Sequence, residues 1–251
     1  MYFRSRYLLF NSNFKQPNVN TMGLFRDFLS LIYPRNCVAC KNLLFKHEEH
    51  ICNHCFLTLP KSDFHLSDDN ELAKVFYGRV PLNVVSSYYL FEKSGKVQQI
   101  LHSIKYKGNK KLATQIGNWY ADSLQEHTEL NKADFIIPVP LHPKKQKQRG
   151  FNQSEEFAKG ISETWNIRLN VENLVRTKFT STQTRKNKFE RWENVETIFE
   201  LKDPKIFENK TVILIDDVVT TGATIDACYQ ALSKAPGVKV NVLSLAYAKK
   251  N

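Results

Sequence analysis

The chain has 251 residues, 42% hydrophobic and 24% charged, an ordinary globular composition with apolar material for one or two domains. Nine glycines and nine prolines exclude collagen-like and Pro/Gly-rich disordered chains, and no run approaches the roughly 20 apolar residues that cross a bilayer. The net charge of +11 is concentrated in windows 105–111, 144–149 and 176–191, which hold fourteen cations against one acid and leave the remainder slightly acidic. That distribution fits phosphate groups held at defined places, not uniform polyanion binding.

Residues 1–21 read as a disordered extension. The apolar run Leu8–Phe10 is too short for a signal peptide core, and no small-residue cleavage site follows. The only methionines are Met1 and Met22. An amphipathic pattern (Leu24, Phe25, Phe28, Leu29, Leu31, Ile32) begins just after Met22, which is therefore the expected working start. A cytoplasmic protein without membrane insertion is expected.

Cys37, Cys40, Cys52 and Cys55 form two C-x-x-C pairs separated by eleven residues. Two such knuckles present four thiolates to one tetrahedral zinc, with each tight turn bringing its sulfurs to about 2.3 Å from the ion. The spacer is shorter than the usual ~15–20 residues. A redox pair would need one C-x-x-C in a βαβ setting, and disulfides are disfavoured in a reducing compartment. His47, His50 and His54 lie close enough for one to replace a sulfur, although solvated histidines account for them as well. Four sulfur ligands leave no place for water, so the expected role is structural. These features set out a zinc-knuckle module with its preceding helix over 22–60. Cys228, within a later helical pattern, reads as a small core residue.

From residue 61 onward helical patterns at 95–106, 111–127 and 152–165 alternate with apolar strands near 134–139, 212–216 and 238–247. Val84–Phe91 is expected to be a further strand joining the two modules. This alternation predicts an α/β fold with a parallel sheet flanked by helices. After the strand Phe135–Val139, the segment Leu141–Gly150 is expected as a basic loop at the sheet's C-terminal edge; a solvated surface loop is the competing reading. Residues 177–187 are polar, lack apolar periodicity and read as a loop.

Thr211–Ile225 (TVILIDDVVTTGATI) is the most informative stretch. A buried strand is expected to end at Asp216 and Asp217, and Val218–Gly222 leads into a helix. Glycine among small residues lets backbone N–H groups close around a phosphate beside the helix N-terminus. Thr220, Thr221 and Thr224 add hydroxyl donors. Two adjacent acids would repel the phosphate itself, so ribose hydroxyls are their natural partners, with a divalent cation nearby.

IDDVVTTGAT resembles the phosphoribosyl pyrophosphate (PRPP) signature of type I phosphoribosyltransferases. The resemblance implies Asp216 and Asp217 on the ribose hydroxyls, with Val219, Thr220, Thr221, Gly222, Ala223 and Thr224 around the 5′-phosphate. The segments 31–37, Lys105-Tyr106-Lys107-Gly108, Pro138–Leu141, Arg149–Gln153, Arg176-Thr177, Thr182-Gln183, and Arg191 with Asn194 occur in the order found in the ComF family. That resemblance spans about Met22 to Lys249; Trp192-Glu193 and the upstream extension depart from it. It implies a phosphoribosyltransferase-type domain over 61–251, Mg²⁺–PRPP as ligand and a role in competence, DNA uptake and transformation. It places Lys105, Arg149 and Gly150 on the pyrophosphate side, and Arg176, Arg185, Lys186, Lys188 and Arg191 on a hood loop. Proteins of the competence machinery are implied partners; single-stranded DNA is a candidate from the residues themselves, since the cations of 176–191 could track its backbone and Phe179, Phe189 and Trp192 among them could stack bases or anchor the hood to the core. An active transferase of nucleotide salvage and a non-catalytic single-stranded DNA-binding module are the alternatives, and no general base can be named.

Overall fold

The computed structural model describes residues 34–177 and 198–249; the expected helix near 24–32 lies outside them. The cysteine knuckles lead into helix α1 (Asn53–Thr58), a 3₁₀ turn at Phe64–Leu66 and the short α2 (Glu71–Lys74). Strand β1 (Val85–Leu90) precedes α3 (Lys96–Lys107) and α4 (Lys110–Ser123). Then follow β2 (Phe135–Pro138), α5 (Pro143–Arg149), α6 (Gln153–Trp165) and β3 (Arg168–Leu169). An antiparallel pair, β4 (Leu174–Arg176) and β5 (Phe199–Leu201), stands apart from the main sheet. The described chain ends with β6 (Thr211–Val219), α7 (Ala223–Leu232) and β7 (Lys239–Tyr247).

The main sheet has the order β1-β7-β6-β2-β3, and every pairing in it is parallel. Side chains alternate across it as the two-residue period demands. Ile213 and Ile215 face a core shared with α3, α4 and α6, whereas Val212 and Leu214 face a core shared with α2 and α7. Both faces are covered, which is why β6 reads as a continuous apolar run. From β2 the chain passes through α6 to β3 at one edge; from β6 it passes through α7 to β7 on the other side. The connection direction therefore reverses between β2 and β6, and the crevice above their C-terminal ends is where this class of sheet places ligands.

The knuckles belong to the first core. Cys37, Ile51, Cys55 and Leu59 are buried in one cluster with residues of α3 and α4, and Phe56 meets Trp119 edge to face at 4.8 Å. Helices α4 and α6 touch backbone to backbone. A Cβ on Gly160 would fall on the Thr114 carbonyl, and one on Gly117 on the Phe157 carbonyl. Gly160→Val should therefore cost about 1–3 kcal/mol by overpacking, each kcal/mol lowering Tm by about 2–4 °C at this size. Calorimetry showing an unchanged melting temperature would contradict the close approach.

Two local expectations are corrected. β6 does not stop at the acid pair: it pairs with β7 through Val219↔Tyr247, because Val218 and Val219 continue the β-branched run. The segment Leu141–Gly150 is not all loop. Pro143 opens α5 at a position that needs no N–H, the His142 side chain accepts from the Lys144 N–H, and Gly150 closes the helix at φ +77°.

Candidate functional site

Asp216 and Asp217 lie near the C-terminal end of β6, facing the crevice region from which α6 departs. Asp216 is 9% exposed. Its Oδ1 accepts from Ser154 Oγ at 3.2 Å and from the Asp217 N–H at 2.8 Å. Burial, reinforced by the neighbouring Asp217 charge, pushes its carboxyl up to about 7 against the opposing effect of those donors and Lys105. Asp217 is paired instead with Lys105, Nζ to Oδ2 at 2.8 Å, because the C-terminal turn of α3 reaches over the same edge. Two chemically identical neighbours thus differ: one is a buried acid held by neutral donors, the other a carboxylate held by a cation.

The raised value has a consequence for stability. A group whose folded value exceeds its unfolded one contributes stability below the unfolded value and loses it as pH rises through the folded one. For Asp216 the window runs from about pH 4 to about 7, and the full span is on the order of 4 kcal/mol. Urea denaturation from pH 5 to 8 should show Asp216→Asn gaining stability relative to the native chain as pH rises. A constant difference would contradict the buried-acid environment.

Beyond Val219 the chain turns into α7. Thr220, Thr221, Ala223 and Thr224 are exposed, while Gly222 is buried. Gly222 has φ +74°, and a Cβ there would lie 2.5 Å from Phe76 Cε1, so both backbone angle and space demand glycine. No side chain caps α7, which leaves its first N–H groups beside the exposed threonine hydroxyls.

The neighbouring loop, after β2, sits on the other side of the crevice. The Asn152 side chain donates to the Val139 carbonyl at 3.0 Å and accepts from the Ser154 N–H, fixing the start of α6. Arg149 Nη1 donates to Gln153 Oε1 at 2.8 Å, and its guanidinium stands 5.7 Å from the Tyr106 ring centroid. Lys105 and Arg149, far apart in sequence, are thus brought to one region through Tyr106. Gly150 is required for its positive φ, not for close approach, since an added Cβ meets nothing within 4 Å. Arg176 ends β4 with its guanidinium 5.4 Å from the Phe199 ring centroid. Arg185, Lys186, Lys188 and Arg191 lie outside the described residues, as do the Phe179, Phe189 and Trp192 rings among them.

Three contributors escape a reading of sequence. Ser154 supports Asp216, Gln153 orients Arg149, and Tyr106 carries Arg149 on its face. Tyr106 and Gln153 sit within segments quoted above for their family resemblance and Ser154 directly follows one, but only the fold gives each its partner.

The second cluster is the four cysteines. The sulfurs of Cys37, Cys40, Cys52 and Cys55 all lie within 4.8 Å of one another, and Cys40 and Cys52 are 3.7 Å apart. Four sulfurs at ~2.3 Å from a tetrahedral ion would be about 3.8 Å apart, so the arrangement fits a metal. None of the four is joined in a disulfide. Burial raises the Cys37 thiol, but N–H donation from Cys40, Cys52 and Ala39 brings it down to about 7. Burial and adjoining thiols push Cys55 well above its ordinary value. The Lys41 turn (φ 68°), the Cys37 N–H to Asn42 carbonyl bond and the Asn36↔Leu43 bridge shape the first knuckle. His47 and His54 are exposed, but His50 is half-buried, with Nδ1 3.5 Å from the Asn109 amide; no histidine joins the sulfur cluster. Cys228 is fully buried in the other core.

No family model matches the chain. It is 28% identical over 214 residues to competence protein F of Haemophilus influenzae, covering 84% of both chains. It is 28% identical over 244 residues to competence protein ComFC of Bacillus subtilis, covering 95% of this chain and 93% of that one. The chain is a homologue of the ComF competence proteins. It is also 29% identical over 149 residues to the DNA utilization protein YhgH of Escherichia coli, matching 58% of this chain and 65%, less than two thirds, of that one. Among solved structures, a purine phosphoribosyltransferase from Pyrococcus horikoshii overlays 54% of this chain and 81% of its own at TM-score 0.33 and 14% identity. The fold assignment for this ComF homologue rests on the strand order and the reversal point described above. Among the described residues no helix is long and apolar enough to cross a membrane.

Proposed function

We propose that this chain binds Mg²⁺–PRPP in the crevice between β2 and β6 and acts in the cytoplasm in DNA uptake and transformation, alongside proteins of the competence machinery. The observation that carries the ligand is the meeting at one sheet edge of the acid pair, the Thr-Gly turn into α7, and the cations Lys105 and Arg149. In this reading Asp216 and Asp217 accept from the ribose hydroxyls, and Val219–Thr224 surround the 5′-phosphate with N–H and hydroxyl donors. Lys105 leaves Asp217 for the pyrophosphate, where Arg149 supplies a planar donor fork. Magnesium arrives as part of the ligand complex. The role in competence is supported by the names of the relatives, and structural zinc at the four sulfurs by their spacing. Calorimetric titration of Mg²⁺–PRPP, followed by assay of pyrophosphate release with candidate acceptors, tests the reading: absence of binding overturns it, and release identifies an active transferase.

Single-stranded DNA is a second reading, favoured by one observation. Tyr106 is 68% exposed and lies between Lys105 and Lys107, offering a stacking face among cations. Binding should then weaken with salt, log K falling by about 0.7 per phosphate contact for each tenfold rise. Tyr106→Ala should remove roughly 1–3 kcal/mol of binding without flattening that slope. Fluorescence anisotropy with a labelled oligonucleotide measures both, and undiminished affinity in Tyr106→Ala excludes the stacking role.

A further inference from the structure

The segment between the knuckles and β1 touches the turn into α7 in a way that neither its sequence nor its place in the chain announces. The Asn70 side chain caps α2 through the Ala73 N–H and donates to the carbonyls of Phe64, Ser67 and Val85. That anchors the segment to the sheet. Phe76 follows, 2% exposed, with its ring beneath Gly222. Arg79 then reaches back across the turn. Its Nη1 donates to the Val75 carbonyl at 2.9 Å and to the Thr221 carbonyl at 2.8 Å, its Nη2 pairs with Asp226 Oδ2, and its guanidinium lies 5.9 Å from the Phe76 ring centroid.

These contacts do two things. A trans peptide holds its C=O and N–H in one plane, pointing in opposite directions from the C–N bond. Fixing the Thr221 carbonyl on Arg79 therefore turns the Gly222 N–H the other way, toward the open side of the turn. Asp226 stands in the first turn of α7, where an uncompensated carboxylate would repel any phosphate approaching the N–H groups. The ion pair with Arg79 neutralises it. Lysine has one point charge and could not serve two carbonyls and a carboxylate with a planar fork.

We propose that Arg79 is a positioning residue for the Thr220–Thr224 turn, holding the Thr221–Gly222 peptide in the orientation that receives a phosphate and masking the charge of Asp226. This rests on reading that turn as the 5′-phosphate cradle. The bare substitution Arg79→Met keeps the apolar stem over Phe76 but strands Asp226, whose Oδ2 loses Arg79 and whose buried Oδ1 has no hydrogen-bond partner among the described residues. The informative variant is thus Arg79→Met with Asp226→Asn, beside Asp226→Asn alone, in the full chain.

Nitrogen-15 relaxation of the unliganded proteins is the first measurement. The Gly222 amide should have an order parameter near 0.85 in the native chain and below about 0.6 in the double variant. Inorganic phosphate, titrated while the Gly222 amide shift is followed, is the second. It should bind about tenfold more weakly to the double variant and no more weakly to Asp226→Asn, in which Arg79 keeps its carbonyl bonds. An unchanged order parameter in the double variant overturns the positioning role, and so does lost order with undiminished phosphate affinity. If phosphate leaves the native Gly222 amide unmoved, the cradle reading fails, and the relaxation result alone decides whether Arg79 orders the turn.

Discussion

Replacing Cys37 and Cys40 by serine should abolish metal binding and unfold the knuckle segment while the sheet survives. Elemental analysis of the native chain should find about one zinc per chain, and of the variant none. Structural zinc contributes about 10–16 kcal/mol to small zinc-finger folds, far more than the apolar contacts of a segment this short can replace. The coupling to the rest of the molecule gives a readable signal. Phe56 packs edge to face on Trp119, and Lys61 lies over the Phe56 and Tyr88 rings, so losing the knuckles uncovers one side of Trp119. Its fluorescence should shift to the red on chelation, and a Trp119→Phe control should lose that response. Limited proteolysis should then cut between residues 34 and 61 while leaving 85–177 intact. A metal-free protein that keeps its native emission and a protease-resistant N-terminal segment would refute the structural role.

The sequence was legible where one residue type has one physical use. Four cysteines in two short-spaced pairs can meet at one point only by turning tightly, and their sulfurs do meet. The apolar run Val212–Ile215 predicts a strand covered on both faces, and its residues alternate between two cores. The helix patterns hold to within a few residues, α3 at Lys96–Lys107 and α6 at Gln153–Trp165 against expectations of 95–106 and 152–165. The two departures lie where polar and charged residues follow an apolar strand. The acid pair marks a strand end by pattern, but a strand can carry polar residues where the sheet edge opens to solvent, and β6 continues to Val219. The basic run after β2 has the charge of a surface loop, yet proline at its start and glycine at its end are helix signals, and α5 forms between them.

The partnerships were not legible at all, because each joins residues remote in sequence. Lys105 with Asp217, Tyr106 with Arg149, and Arg79 with Thr221 exist only once the sheet order has brought α3, α5 and the segment after α2 to the same end. Charge composition located cations in three windows. It gave no means of knowing that one cation would neutralise an acid while another would lie on an aromatic face.

The sharpest functional expectation concerns the acid pair. Changing Asp216 and Asp217 together to asparagine should weaken Mg²⁺–PRPP binding by about two to four orders of magnitude. Each carboxylate accepting from a ribose hydroxyl contributes roughly 1.5–3 kcal/mol as a charge-assisted bond, about ten- to hundredfold in affinity apiece. The fold should survive the change. Asparagine at 216 still offers Oδ1 to Ser154 Oγ and to the neighbouring N–H, and it removes a charge that burial and Asp217 both oppose. The variant should therefore melt no lower than the native chain at pH 8 while binding PRPP far less well, which separates lost recognition from lost structure. Mg²⁺–pyrophosphate, which has no ribose, provides the control. Its affinity should hold or rise, because Lys105 loses its carboxylate partner and is left to the phosphate oxygens. Unchanged PRPP affinity would remove the acids from the site, and an equal loss for pyrophosphate would place them on the wrong part of the ligand.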